Sequence, residues 1–156
     1  MAKNNIEMQP IGIIYSERHD PIDDQWDKVK SIIEIDPHTF RPEALVGLNE
    51  FSHCEVIYFF HKVAAEKIER GSRHPRGNKD WPQVGIFSQR AKDRPNRIGS
   101  TICRILSVDG LKVTVEGLDA IDRTPVLDIK PYISEFGARG AVRQPNWSSD
   151  LMKNYW

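Results

Sequence analysis

Apolar residues come along this chain in short bursts separated by Gly, Pro, Asp and Asn. Seven bursts have the length and composition of strands: 11–15 (IGIIY), 31–35 (SIIEI), 54–60 (CEVIYFF), 84–88 (VGIFS), 101–108 (TICRILSV), 111–118 (LKVTVEGL) and 126–129 (VLDI). They are rich in Val, Ile, Phe and Tyr, whose branched or flat side chains suit a pleated surface. The sixth alternates, with Leu111, Val113 and Val115 on one face and Lys112, Thr114 and Glu116 on the other. Asp109-Gly110 between two such runs predicts a hairpin, because Gly accepts positive φ.

Helical patterning is sparse. Residues 42–51 carry Pro42 at a first-turn position and Leu45 and Leu48 three apart. Residues 62–71 could form a helix ended by a left-handed Gly71, and 148–156 a last helix capped by Ser148. Two stretches, 70–82 and 138–147, read as long polar loops. Seven strands without regular alternation of strand and helix predict a mainly β fold: a small single-domain β-barrel with a few short helices. The domain is expected to span 1–156, with its core at about 10–132 and a tail at 133–156. Trp147, Tyr155 and Trp156 in that tail are expected to pack, since isolated exposed aromatics are uncommon.

Composition narrows the class. A chain of 156 residues, 39% hydrophobic and 28% charged, can bury one core and solvate its surface. No apolar run approaches the roughly 18 residues of a membrane helix. The opening MAKNNIEMQP has no apolar stretch of the kind a secretory signal needs. Cys54 and Cys103 both sit in apolar runs and read as buried, reduced thiols of a cytoplasmic protein. Without C-x-x-C or paired-His spacing, no metal site is expected.

Formal net charge is zero, which hides an asymmetry. From Lys62 to Arg104 there are eleven basic and four acidic residues, a net +7. The middle of the chain could face a phosphate-rich partner, or could be a solvated loop region.

Three stretches could carry chemistry. In SQRAKDRPNRIGST (88–101), four basic residues surround Pro95, which forbids helix, and Gly99, which permits close backbone approach. Such a loop could hold an anion on guanidinium forks and backbone N–H groups, or be a solvated turn. In GLDAIDRTPVLDIKPY (117–132), Asp119, Asp122 and Asp128 lie near strand ends. They could bind an amino group or ribose hydroxyls, or simply close turns. In FFHKV, His61 and Lys62 follow a strand exit, a place where a single His is more often structural. No nucleophile–base spacing suggests hydrolysis, and GARG at 137–140 is not a dinucleotide loop.

Four segments carry a resemblance: PIGIIYS, FSHCEVIYFFHK, GIFSQRAKDRPNRIGST and LDAIDRTPVLDIKPY. In that order, over roughly 10–132, the chain resembles the TrmO family. Members are small β-barrels, usually homodimers, that use S-adenosylmethionine to methylate N6 of threonylcarbamoyladenosine beside the tRNA anticodon. The resemblance implies that cofactor for His61 and Lys62, for Ser88, Gln89 and Arg90, and for Asp119, Ala120, Ile121 and Asp122. It implies that Arg76, Arg94, Asn96, Arg97 and Lys130 would face the substrate, with the basic 70–97 region holding tRNA. The general base is left among Asp119, Asp122 and His61. A module that binds S-adenosylmethionine without transfer, and a methyltransferase with a small-molecule or protein acceptor, are the alternatives. The chain departs from the family pattern at Arg97, where members have Pro, and at Arg123, where they have Gly. ERHDPIDDQWDKV lacks a Pro-Arg-Gln element common there, and the extra C-terminal domain of long bacterial forms is not expected.

Overall fold

The computed structural model describes residues 5–156. Residues 1–4, part of the stretch read as carrying no secretory signal, lie outside the described residues. The strands are β1 (Gly12–Ser16), β2 (Lys30–Ile35), β3 (His53–Phe59), β4 (Ser72–Arg73), β5 (Val84–Gly85), β6 (Ile98–Asp109), β7 (Lys112–Glu116) and β8 (Pro125–Pro131). One α-helix, α1, spans Asn146–Met152. Six strands close a barrel in the order β1-β2-β7-β6-β3-β8, and β4 pairs with β5 in a separate ribbon. The predicted mainly β barrel is therefore found.

Alternation decides which side chains fill the barrel. Along β3, Cys54, Val56 and Tyr58 are buried while their neighbours are half-buried. Val113 and Val115 point inward from β7 as their spacing predicts, joining Ile14, Ile33, Val126 and Leu118. The hairpin also forms: Asp109 pairs with Lys112, and Gly110 takes φ 56°. Positive φ at the first of the two turn residues alone fits a type II′ turn. Cys54 and Cys103 face each other across β3 and β6, both free, with sulfurs 3.8 Å apart.

The helical expectations need correction. Residues 42–51 form two 3₁₀ turns split by Gly47 at φ 86°. Of 62–71 only Ala65–Lys67 is helical, as a single 3₁₀ turn, because Glu69 N–H donates to Asp93 O at 2.8 Å and draws the chain away from a helical path. The last helix starts at Asn146, with Pro145 at the N-cap position and no side-chain cap, so Ser148 lies inside it. The strand expected at 84–88 is two residues long, followed by a 3₁₀ turn at Ile86–Ser88 whose Ile86 is buried. That short strand pairs with Ser72–Arg73, inside the stretch read as loop.

β6 has twelve residues and serves two partners. Its first half pairs with β3 and its second half with β7, with a register shift between Ile105 and Ser107. A second shift between Ile57 and Tyr58 bends β3 against β8. Such bulges sharpen strand twist and re-aim side chains. The exits of β1, β3 and β7 and the entries of β6 and β8 meet at one end of the barrel. Residues 117–124 cross that mouth.

Candidate functional site

Asp119 is the hub of the mouth. It lies just after Leu118, which is fully buried and anchors the crossing segment. Tyr58, the last inward residue of β3, donates its hydroxyl to Asp119 Oδ1 at 3.0 Å and to the Asp119 carbonyl at 3.2 Å. Thr101, inward on β6, donates to the same Oδ1. Tyr155, beyond α1, donates to Oδ2. Burial first, and then the Asp119 charge, push both tyrosine hydroxyls well above their ordinary range, so they remain donors.

Gly99 makes this arrangement possible. A Cβ there would overlap the Tyr58 ring and lie 2.9 Å from Phe60 Cζ. Tyr58 and Phe60 meet edge to face, with centroids 5.4 Å apart.

A second carboxylate lies three residues on. Asp122 Oδ1 accepts from Ser16 N–H at 3.1 Å, and Oδ2 lies 3.4 Å from His19 Nδ1 and 3.7 Å from Arg123 Nε. Arg123 takes φ 65°, the left-handed conformation that its place in the DRTP turn requires, and its guanidinium stacks 4.6 Å from the Tyr15 ring. Thr124 is buried and closes the turn by donating to Ile121 O at 2.7 Å. His61 is half-buried nearby. Burial first, then the Lys62 charge, lower its pKa against an opposing pull from Asp122. Lys62 Nζ donates to His19 O at 2.8 Å.

The structure thus brings His61, Lys62, Asp119, Ala120, Ile121 and Asp122 to one mouth. Arg90 joins them: exposed, it donates to Ser100 O at 2.5 Å and bears electrostatically on Tyr155. Ser88 is exposed on its 3₁₀ turn. Gln89 is turned away, 7% exposed, and its amide donates to Arg73 O and Val84 O at 3.2 and 3.0 Å, stitching the 70–85 loop. Lys130 sits at the other end of β8, opposite Glu55 and ion-paired with Asp128.

The residues expected to face substrate are largely engaged by the protein. Arg76 ion-pairs with Asp24 at 2.8 Å and lies over the Tyr155 ring at 5.9 Å. Arg94 donates to Gln89 O at 2.9 Å. Arg97, at φ 52°, donates to Val63 O at 2.8 Å and stacks on Phe59 at 4.5 Å. Asn96 is exposed. Lys67, Arg70, Lys79 and Lys92 are exposed, and their side chains make no hydrogen bond or ion pair among the described residues. Sequence reasoning missed Tyr58, Thr101 and Tyr155. An inward-facing Tyr at a strand exit was the signal available for the first, because a buried hydroxyl needs a partner.

A closed six-strand barrel with carboxylates on a loop across its mouth defines the class: a small β-barrel binding domain without a glycine-rich phosphate loop. The chain belongs to the tRNA-methyltransferase O family, matching that family's N-terminal domain over residues 14–138. It is 38% identical over 155 residues to a human "tRNA (adenine(37)-N6)-methyltransferase", covering 98% of this chain and 32% of the relative. It is 33% identical over 147 residues to a "Probable S-adenosyl-L-methionine-binding protein" of Methanothermobacter thermautotrophicus, covering 90% of this chain and 99% of the relative. A crystal structure of TrmO from Pseudomonas aeruginosa superposes with a TM-score of 0.72 at 28% identity, covering 90% of this chain and 62% of that one. The chain therefore spans about a third of the human relative's length.

Proposed function

We propose that this chain binds S-adenosylmethionine at the barrel mouth and transfers its methyl group to N6 of threonylcarbamoyladenosine beside a tRNA anticodon. The observation that carries the reading is the convergence of Asp119, Asp122, His61 and Arg90 on one mouth, in a chain whose relatives bear methyltransferase and S-adenosylmethionine-binding names. The donor set fits such a ligand. Asp119 is held by three hydroxyls, and a carboxylate has about four acceptor positions, which leaves one for an amino or hydroxyl donor. Arg90 spends Nη2 on Ser100 O and keeps other N–H groups for a carboxylate. Along 119–122 the Asp119 and Ile121 carbonyls and the Asp122 N–H are already bonded within the protein, so the side chains would carry most of the recognition. When bound, the cofactor would supply an electrophilic methyl group.

The protein's own work is alignment and proton removal. Holding acceptor and donor in line can contribute about 7–11 kcal/mol in favourable cases. Methylation of an N–H nitrogen releases a proton. His61 fits its acceptance best, being half-buried with its pKa lowered by burial, whereas Asp119 is held by three hydroxyls with its last acceptor position assigned to the ligand and Asp122 is held by Ser16 N–H. The exposed cations Lys67, Arg70, Lys79 and Lys92 offer phosphate contacts for the tRNA.

Apolar side chains that the barrel wall turns outward, Ile13, Ile32, Ile102 and Leu106, support a homodimer. Sedimentation at micromolar concentration tests this, a monomer mass being the contrary result. A cytoplasmic location accords with a tRNA substrate. Among the described residues no helix is long and apolar enough to cross a membrane.

Calorimetric titration with S-adenosylmethionine, with and without Arg90→Ala, tests the site. Methyl incorporation into tRNA bearing or lacking the threonylcarbamoyl group then tests the acceptor. No binding at millimolar cofactor refutes the reading. Binding without turnover favours the second reading, a module that holds the cofactor without transfer, in line with the name of the Methanothermobacter relative, 99% of whose length is matched.

A further inference from the structure

The 146–156 segment is an aromatic tail outside the barrel core. It folds back over the mouth. Gln25 N–H donates to Asn154 O at 2.9 Å and Trp26 N–H to Tyr155 O at 2.8 Å, so its last turns are stitched to the 24–26 segment. Trp26 is buried and carries the Arg18 guanidinium 4.3 Å from its ring. Arg76 ties the same places together, pairing with Asp24 and lying over the Tyr155 ring. These anchors leave the Tyr155 hydroxyl one partner, Asp119 Oδ2.

We propose that Tyr155 is a positioning residue of the cofactor site, fixing the Asp119 carboxylate through Oδ2 so that the tail forms part of the site's wall. The proposal rests on the cofactor reading above. Acceptor arithmetic separates positioning from simple obstruction. Oδ1 takes two donors, from Tyr58 and Thr101. Oδ2 takes one, from Tyr155, and can accept a second. A ligand donor and Tyr155 can therefore be bound together. Three hydroxyls fix the plane of the carboxylate, and the remaining acceptor direction is set before the ligand arrives. That removes an ordering cost from binding.

The test is a double-mutant cycle in the full chain with Tyr155→Phe, Asp119→Asn and the pair. Phe keeps the ring under Arg76 and leaves the backbone bonds to residues 25 and 26 untouched. Two readouts are taken: calorimetric Kd for S-adenosylmethionine, and melting temperature without ligand. Tyr155→Phe should raise Kd about tenfold, as loss of a hydrogen bond to a charged group does. The double variant should bind within about twofold of Asp119→Asn, because Tyr155 acts through Asp119. A purely packing role would instead multiply the two effects, and would overturn the proposal. An unchanged or lowered Kd for Tyr155→Phe also overturns it, the latter marking the hydroxyl as a competitor of the ligand. Coupled melting temperatures in a wild type that binds no cofactor refute the cofactor reading itself and the positioning role with it. A binding wild type with an unaffected Tyr155→Phe refutes the positioning role alone.

Discussion

Gly99→Ala should damage the site through one methyl group. Gly99 faces Tyr58 across β3 and β6, and the added Cβ would sit inside van der Waals contact of the Tyr58 ring and 2.9 Å from Phe60 Cζ. Neither ring can easily withdraw. Tyr58 is 2% exposed and its hydroxyl is held by Asp119, while Phe60 leans on Tyr58. Over-packing of this kind costs about 1–3 kcal/mol. At this chain length each kcal/mol lowers Tm by about 2–4 °C, so a fall of roughly 2–12 °C is expected by circular dichroism melting. The displaced Tyr58 would also release Asp119, and cofactor affinity measured by calorimetry should drop with it. Gly85→Ala is the control: its Cβ meets nothing within 4 Å and its φ is −60°. That change should be neutral or stabilising by about 0.4–1 kcal/mol. A Gly99→Ala protein that melts within a degree or so of wild type, with affinity intact, would refute the packing account of the mouth.

Other outcomes follow from the same geometry. The folded pKa of His61 lies below its ordinary 6.5, so the unfolded chain binds more protons on acidification. His61 therefore contributes stability above pH 6.5 that is lost as pH falls towards the folded value; His61→Gln should flatten that part of the Tm–pH curve, and parallel curves would contradict it. Lys92→Ala should weaken tRNA binding and lower its salt slope by about 1, whereas Arg97→Ala, which removes the bond to Val63 O, should show first as a lower Tm. Equal salt slopes in wild type and Lys92→Ala would remove Lys92 from the phosphate contacts. The two thiols should resist a disulfide reagent in the native protein and react only on unfolding, since Cys54 and Cys103 are both buried inside the barrel; prompt native labelling would contradict their burial.

The barrel was legible where local and tertiary preferences agree. In β7 the alternation of Val113 and Val115 with polar neighbours, and the glycine before it, specify both the inward face and the turn. The segment 84–88 was misread because an apolar run of strand-like composition carries no information about a pairing partner. Only Val84 and Gly85 find one, in Ser72–Arg73, and Ile86 is buried from a 3₁₀ turn. The 62–71 segment has helix-forming residues, yet it is pinned at both ends: Phe60 N–H donates to Arg97 O and Glu69 N–H to Asp93 O. Tertiary hydrogen bonds outweigh a propensity of a few tenths of a kcal/mol per residue.

The arginines teach the same lesson for function. A run of guanidinium groups in a Gly/Pro-rich loop reads as an anion surface. Such a loop has little apolar area to bury, so it must be fastened by polar bonds, and arginine is well suited to that task. Arg94 reaches Gln89 O, Arg97 reaches Val63 O, and Arg73 pairs with Asp93 at 2.5 Å. Backbone carbonyl acceptors have no signature in sequence, so these internal roles could not be read there. The carboxylates behave differently. Asp119 and Asp122 lie on the one segment that must cross the mouth, because β7 ends while β6 still has half its length paired only with β3. Leu118, Ala120 and Thr124 are buried and anchor that crossing, which leaves the two carboxylates between them at the opening. A chain of this topology presents polar groups at a barrel mouth without a glycine-rich phosphate loop: the crossing segment carries them, the inward hydroxyls of Tyr58 and Thr101 orient Asp119, and Tyr155 of the returning tail bonds its other oxygen.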